Sequence, residues 1–386
     1  MIEKLSPDEL KDFVTLTRNV EWQYRLDQFT DESLLRLQSA IDQTGKELQG
    51  YVRRRGRNIT DWSKQRVKEI TNEMDTLTVG VRSQTAAGIS EIATEAGLAA
   101  LKEHASILSF KGAIAVNSVS LSSNQLLSLV QNTPLGGTFS GTTRTLQDWV
   151  DNMFTTTMQN DIKKEMTVGM LRGEGYKKLS NRVRSTFSKV TKREAITLTR
   201  SYVQSANVGA QKAVYKANPD VVKGVKWSSI LESGYKKTGR GTCVRCAVLD
   251  GEIFGTEDSL YDYPPPCPLH PRCRCNLLPV TKTWKELGLP LDEIKSQARH
   301  YVKRTNVNID AGRSYKQTAY EKGVVKGNYK EFFEGQSKVF QKNAVGKVRQ
   351  SLIARNQLEF KDLVDKKTGK LFSLNELGFT ITGKRL

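Results

Sequence analysis

All five cysteines of the chain fall between Cys243 and Cys275, in the arrangement Cys243-x-x-Cys246, Cys267, His270-Pro271-Arg272-Cys273-Arg274-Cys275. A close C-x-x-C pair followed by a His/Cys cluster can supply four soft ligands to one tetrahedral zinc ion. The pair suits a knuckle that turns the backbone toward an ion, and the later residues close it through an H-x-x-C or C-x-C bite. The candidate ligands are Cys243, Cys246, His270, Cys273 and Cys275, more than a closed site uses. The preferred set is Cys243, Cys246, His270 and Cys273, with Cys275 the leading substitute and Cys267, between two prolines, a spare. One structural zinc per chain contributes on the order of 10 kcal/mol to folding, enough to hold a segment with few apolar residues. A closed thiolate-rich site leaves no position for water, which argues against a catalytic metal. An incidental cluster of buried thiols is the plain alternative.

The amino terminus, Met1 to Pro7, lacks the basic-then-apolar pattern of a signal peptide. The cysteines are therefore expected in a reducing cytoplasm, where such clusters bind metal more often than they form disulfides. Their odd number also forbids full internal pairing. No apolar run is long enough to span a bilayer, so no membrane anchor is expected. The net charge of +19 favours an acidic partner, either nucleic acid or an acidic protein surface. Close to the cluster, Arg240, Arg245, Arg272 and Arg274 could offset thiolate charge.

Along the chain, the pattern predicts a mainly α, multi-domain α+β protein with a small zinc-stabilised β-hairpin element. Residues 1–110 form an N-terminal helical region. Ser6-Pro7-Asp8-Glu9 starts its first helix, and Thr30-Asp31-Glu32-Ser33 starts a second. A third runs from about Thr60 with Trp62, Val67, Ile70 and Met74, and the Ala-rich stretch 86–101 suits close packing. Residues 111–144 read as a linker with one short helix. In 145–218, helix resumes at Leu146, breaks at Arg172-Gly173-Glu174-Gly175, and continues through Leu179, Val183 and Phe187 and then a long segment from Arg193 to Tyr215. In 219–280, Val225-Lys226-Trp227-Ser228 reads as a strand, and the Asp250-Gly251 pair signals a tight hairpin. Residues 281–386 return to short helices, with Trp284, Leu287 and Leu291 first.

Residues 193–280 resemble the phage head morphogenesis family, the one typified by the F-like minor head protein of phage Mu. The resemblance is carried by Arg193-Glu194-Ala195-Ile196-Thr197-Leu198-Thr199-Arg200, Trp227, Thr242-Cys243-Val244-Arg245-Cys246, Leu249-Asp250-Gly251-Glu252-Ile253-Phe254 and His270-Pro271-Arg272-Cys273-Arg274-Cys275, in that order. It extends less firmly back to Leu146, and the stretch from Phe332-Phe333 to Leu377 looks like the tail of some relatives. Ser201 departs from the pattern, since many relatives carry an acidic residue there. Residues 1–140 have no counterpart in it.

The resemblance implies a low-copy virion protein, located in the capsid interior or at the portal vertex and in the host cytoplasm during assembly. It would act in head assembly or in DNA packaging and delivery. Its implied partners are a portal protein, a major capsid or scaffold protein, and packaged double-stranded DNA; a homo-oligomer stays open. Sequence-independent phosphate contacts are expected from Arg53, Arg54, Arg55 and Arg57, and from Lys177, Lys178, Arg182 and Arg184. An ordinary solvated face is the alternative for each basic run. Two rival classes are a zinc-containing DNA-processing nuclease and a zinc-ribbon DNA-binding protein. Against the first, His270 sits inside the ligand cluster, and His104 and His300 lack a recognisable catalytic neighbourhood. Against the second, no recognition helix follows the ligands. No catalytic residue is assigned, and the chain is read as a non-enzyme. There is neither a phosphate loop nor a Gly-x-Ser-x-Gly elbow.

Overall fold

The computed structural model describes residues 7–56, 64–109, 115–132, 135, 144–231, 242–256, 262–283, 286–287, 298–306, 318–326 and 328–386. Helix α1 runs unbroken over Pro7–Gly56, so the second helix expected at Thr30 does not start there. The apolar positions Leu26, Leu34, Leu37, Ile41, Leu48 and Val52 stay buried straight through the cap-like residues. Thr30 and Ser33 are themselves buried, and Asp31 meets Arg200 at 2.5 Å. Tertiary packing outweighs the local capping preference.

Helix α2 (Lys64–Leu108) is followed by α3 (Ser123–Asn132) and α4 (Leu146–Asn152). Thr145 and Asp148 form a capping box at the start of α4. A single π turn, Met153–Thr157, leads into α5 (Met158–Leu171). After the break at Gly173 and Gly175, α6 extends over Tyr176–Lys216, so the basic segment and the segment from Arg193 are one helix. Trp62, Pro134, Gly136, Gly137 and Gly141 lie outside the described residues.

The chain divides into two compact units, each built from separated stretches. One comprises Phe29–Ala96 and Ser122–Ala206. Its core includes Val150, Phe154, Met158, Ile162, Leu179, Val183 and Phe187, with the rings of Phe154 and Phe187 6.1 Å apart. The Ala-rich part of α2 packs closely as expected: a Cβ at Gly88 would collide with the Leu37 side chain.

The other unit comprises Met1–Gln28, Gly97–Leu121 and Asn207–Leu386. It contains a three-stranded antiparallel sheet in the order β2-β1-β3, with β1 at Val222–Ser228, β2 at Ile253–Phe254 and β3 at Asn276–Thr281. Trp227 pairs with Leu277 and Val225 with Phe254. The Asp-Gly signal is used differently from the expected hairpin. It joins a short helix, α7 (Val244–Leu249), to β2, with Gly251 at φ 87° and its N–H donating to the Trp227 carbonyl at 2.9 Å.

Where short helices are expected after Pro279, residues Ala298–Asn306 (β4) and Thr318–Lys326 (β5) pair antiparallel in unbroken register. Residues 307–317, between the two strands, lie outside the described residues. Trp284 and Leu291 lie outside the described residues. Helices do follow: α8 (Tyr329–Glu334), α9 (Lys338–Val345) and α10 (Lys347–Ala354), then a 3-10 turn at Phe360–Leu363 and a strand pair, β6 (Val364–Asp365) with β7 (Lys370–Leu371). Among the described residues, no helix is long and apolar enough to cross a membrane.

A buried polar network ties this unit together. The Trp22 indole N–H donates to Asn207 Oδ1 at 2.7 Å, and His104 Nε2 lies 2.9 Å from the same oxygen. An indole can only donate, which fixes the Asn207 amide and makes His104 the Nε2–H tautomer. Asn207 Nδ2 then donates to Asn276 Oδ1 at 3.0 Å, and Asn276 Nδ2 to Gln23 Oε1 at 3.2 Å.

Candidate metal centre

The centre is assembled from the end of β1, helix α7 and the chain entering β3. Cys243 is the N-cap of α7, its sulfur accepting from the Cys246 N–H at 3.5 Å. All six residues of this helix are buried, and the N-terminal turn presents the Cys243 and Cys246 sulfurs together. His270 and Cys273 belong to a tight turn, in which the Cys273 N–H donates to the His270 carbonyl at 3.0 Å and Arg272 takes φ 61°. Leu269, which leads into that turn, packs on Gly369: a Cβ there would come within 2.5 Å of Leu269, and the glycine sits at φ 68°. Arg245 donates to the Gly369 carbonyl at 2.6 Å.

The next strand is held from α6. Asn207, Gln211 and Tyr215 are four residues apart, and they engage Asn276 Oδ1, Leu277 N and Leu277 O respectively. Cys275 immediately precedes these anchored residues. Two other residues support the centre: Ser229, and Asp250, which the sequence marks only as part of a turn. Ser229 Oγ donates to the Cys246 carbonyl at 2.5 Å and lies 3.5 Å from Cys275 Sγ. The Asp250 carboxylate accepts the N–H groups of Ser229 at 2.7 Å and Tyr329 at 2.8 Å. The polar Asn-x-x-x-Gln-x-x-x-Tyr stripe on an otherwise apolar helix face was the available signal; Ser229 carried none.

Five of the candidate donors converge in two overlapping groups, Cys243–Cys246–His270 and Cys246–Cys273–Cys275. Within each group the ligand atoms lie within 4.8 Å of one another. His270 Nε2 is 3.1 Å from Cys243 Sγ and 3.2 Å from Cys246 Sγ, and the Cys246 and Cys273 sulfurs are 3.7 Å apart. Around a tetrahedral zinc with Zn–S near 2.3 Å, sulfurs are separated by about 3.8 Å and sulfur and nitrogen by about 3.6 Å. A disulfide needs about 2.05 Å, and all five cysteines are free thiols. The cluster therefore fits a soft metal ion. Cys267 stands apart, donating to the Cys275 carbonyl at 3.3 Å.

The same contacts shift the titration of the cluster's groups. Hydrogen bonds from Cys246, then from His270, hold the Cys243 thiol well below its usual range. Those from Cys246 and Cys275, with His270, do the same for Cys273. Burial pushes His270 down, but its bonds to Cys243 and Cys273 outweigh that and raise it to about 11. The Cys246 thiol is raised by its bond to Cys243, and burial raises Cys275 and Cys267. Of the arginines expected near the thiolates, Arg245 donates to Gly369 and Arg274 lies 4.0 Å from Asp27; Arg240 lies outside the described residues.

The candidate phosphate-binding residues separate into two kinds. Arg53, Arg54, Arg55, Lys177, Lys178 and Arg184 are exposed, and Arg184 donates to Gln49 Oε1 at 3.4 Å. Arg53 donates to Ser180 and Asn181, and Arg55 pairs with Glu73 at 3.0 Å. Arg182 is bound to Glu174 at 2.6 Å and to Glu165 at 2.8 Å, so its guanidinium is an internal brace. Arg57 lies outside the described residues.

No curated protein and no solved structure matches the chain. A family model does match, from within α5 into β3, a stretch that includes every donor of the cluster. Residues 160–278 match the family described as Phage Mu protein F like protein, which supports the resemblance to the phage Mu F-like head morphogenesis family.

Proposed function

We propose that the chain is a minor head protein of a tailed bacteriophage, acting in head assembly, at the portal vertex or in DNA packaging and delivery. The observation that carries this reading is the family match over residues 160–278, which contains the whole Cys/His cluster. The role is structural and not enzymatic. Cys243, Cys246, His270 and Cys273 hold one zinc ion, with Cys275 beside them. When bound, the ion supplies a cross-link between α7 and the turn that enters β3. Partners would be other head components, and the exposed Arg54, Lys177, Lys178 and Arg184 give sequence-independent contact with packaged DNA.

The test has two parts. Mass spectrometry of purified particles from the producing phage should find the chain at a few copies per virion, with its absence from both virions and procapsids overturning the head-protein reading. Elemental analysis of the freshly purified chain should find one zinc with protected thiols. Five reactive thiols and no metal would overturn the zinc assignment.

A further inference from the structure

The centre contains more sulfur than one ion requires, and the surplus is unevenly placed. Cys246 belongs to both three-donor groups, whereas Cys243, His270, Cys273 and Cys275 each belong to one. Cys273 and Cys275 share the same group with Cys246, and all three are buried. Ser229 then distinguishes Cys275 from the rest. Its hydroxyl has one proton, and the Cys246 carbonyl 2.5 Å away can only accept it. Toward Cys275, 3.5 Å away, Ser229 therefore presents lone pairs. The Asp250 carboxylate fixes Ser229 through its backbone N–H, and the anchoring of Asn276 and Leu277 by α6 fixes the strand that follows Cys275.

We propose that Cys275 is a reserve ligand, able to replace Cys273 when that sulfur is lost, and that Cys246 is the one donor the centre cannot replace. The proposal rests on the metal-centre reading above. In the exchange, the Cys275 sulfur bonds to the ion and its S–H proton passes to solvent. The Cys273 and Cys275 sulfurs both lie within 4.8 Å of the Cys246 sulfur, the donor common to both groups.

The test compares three full-length variants, Cys273→Ser, Cys246→Ser and the double variant Cys273→Ser/Cys275→Ser, with the parent. Zinc content and affinity are read by elemental analysis and by competition with a chromophoric chelator, and thiolate number by the sulfur-to-cobalt charge-transfer band after Co2+ substitution. Cys273→Ser should keep one ion, hold its affinity within about a hundredfold of the parent, and leave the cobalt band unchanged. The double variant should lose one thiolate from that band and weaken by about a further hundredfold or more, and Cys246→Ser should bind no ion. A Cys273→Ser protein that has lost a thiolate from the cobalt band, or that binds no better than the double variant, overturns the proposal. If Cys246→Ser fails to fold, the comparison of Cys273→Ser with the double variant decides alone. A parent that binds no metal overturns the metal-centre reading itself, which is a separate outcome.

Discussion

Lowering the pH from 7 to 5 should destabilise the unit that contains His104, through that one side chain. His104 is fully buried, and its Nε2–H is committed to Asn207 Oδ1, an oxygen already taken by the Trp22 indole. Its Nδ1 has no partner among the described residues, so a proton added there would create a charge with no acceptor. Burial lowers its pKa from 6.5 to about 4, against a smaller raising effect from Asn207. Between those two values the unfolded chain binds a proton that the folded chain refuses. Stability is therefore fully present above pH 6.5 and is lost as the pH falls toward 4. The linkage relation puts the loss at about 2 kcal/mol between pH 7 and 5, reaching about 3 kcal/mol by pH 4. The control is His104→Gln, whose amide can still donate to Asn207 and does not titrate. Urea denaturation of both proteins at pH 7 and pH 5 isolates the difference, because every other titrating group is common to them. The parent should lose about 2 kcal/mol more than the variant on acidification. Equal losses would refute the placement of a neutral, buried imidazole.

Three further outcomes are expected. Cys243→Ser, or treatment of the parent with a strong chelator, should lower the thermal midpoint of the unit that contains the cysteine cluster by many degrees, as calorimetry would detect; unchanged melting would refute a structural role for the proposed ion. Asp250→Ala strands the buried N–H groups of Ser229 and Tyr329 and should cost about 2–4 kcal/mol in denaturant unfolding, whereas a change under 0.5 kcal/mol would deny it that role. Binding of arbitrary duplex DNA should weaken steeply with salt, with a shallower salt slope after combined Lys177→Glu, Lys178→Glu and Arg184→Glu substitution. By contrast, Arg182→Ala should lower stability and leave the slope unchanged, since its guanidinium is held by Glu174 and Glu165.

Much of the centre was legible because its chemistry depends on residue identity and spacing. A C-x-x-C pair and an H-x-x-C turn constrain their own geometry locally, so Cys243, Cys246, His270 and Cys273 could be grouped from the sequence. Ser229 and Asp250 could not, because their roles depend on atoms that only folding brings near, such as the Cys246 carbonyl and the Tyr329 N–H. The same limit explains the helices. Thr30-Asp31-Glu32-Ser33 carries a sound local start signal, yet Arg200, far along the chain, gives Asp31 a partner that keeps α1 continuous. Asp250-Gly251 did mark a turn, but the element before it is a six-residue helix stabilised by its cap and by complete burial. Arg182 looked like one cation among several until Glu165 and Glu174 were seen to enclose it.

Helix α7 has a consequence for how the protein is made. Six residues are too few to persist as a helix in water, so α7 exists only because both of its sides are occupied. Cys246 and Leu249 face a cluster with Trp227, Phe254 and Cys273, while Val244, Ala247 and Val248 face Tyr329, Phe333, Phe360 and other residues of the final segment. The last sixty or so residues of the chain therefore cannot find their docking face before the thiol-bearing turn has formed. On the proposed metal reading, capture of the ion and closure of the carboxy-terminal segment are coupled, and removing the ion should leave that segment open to protease.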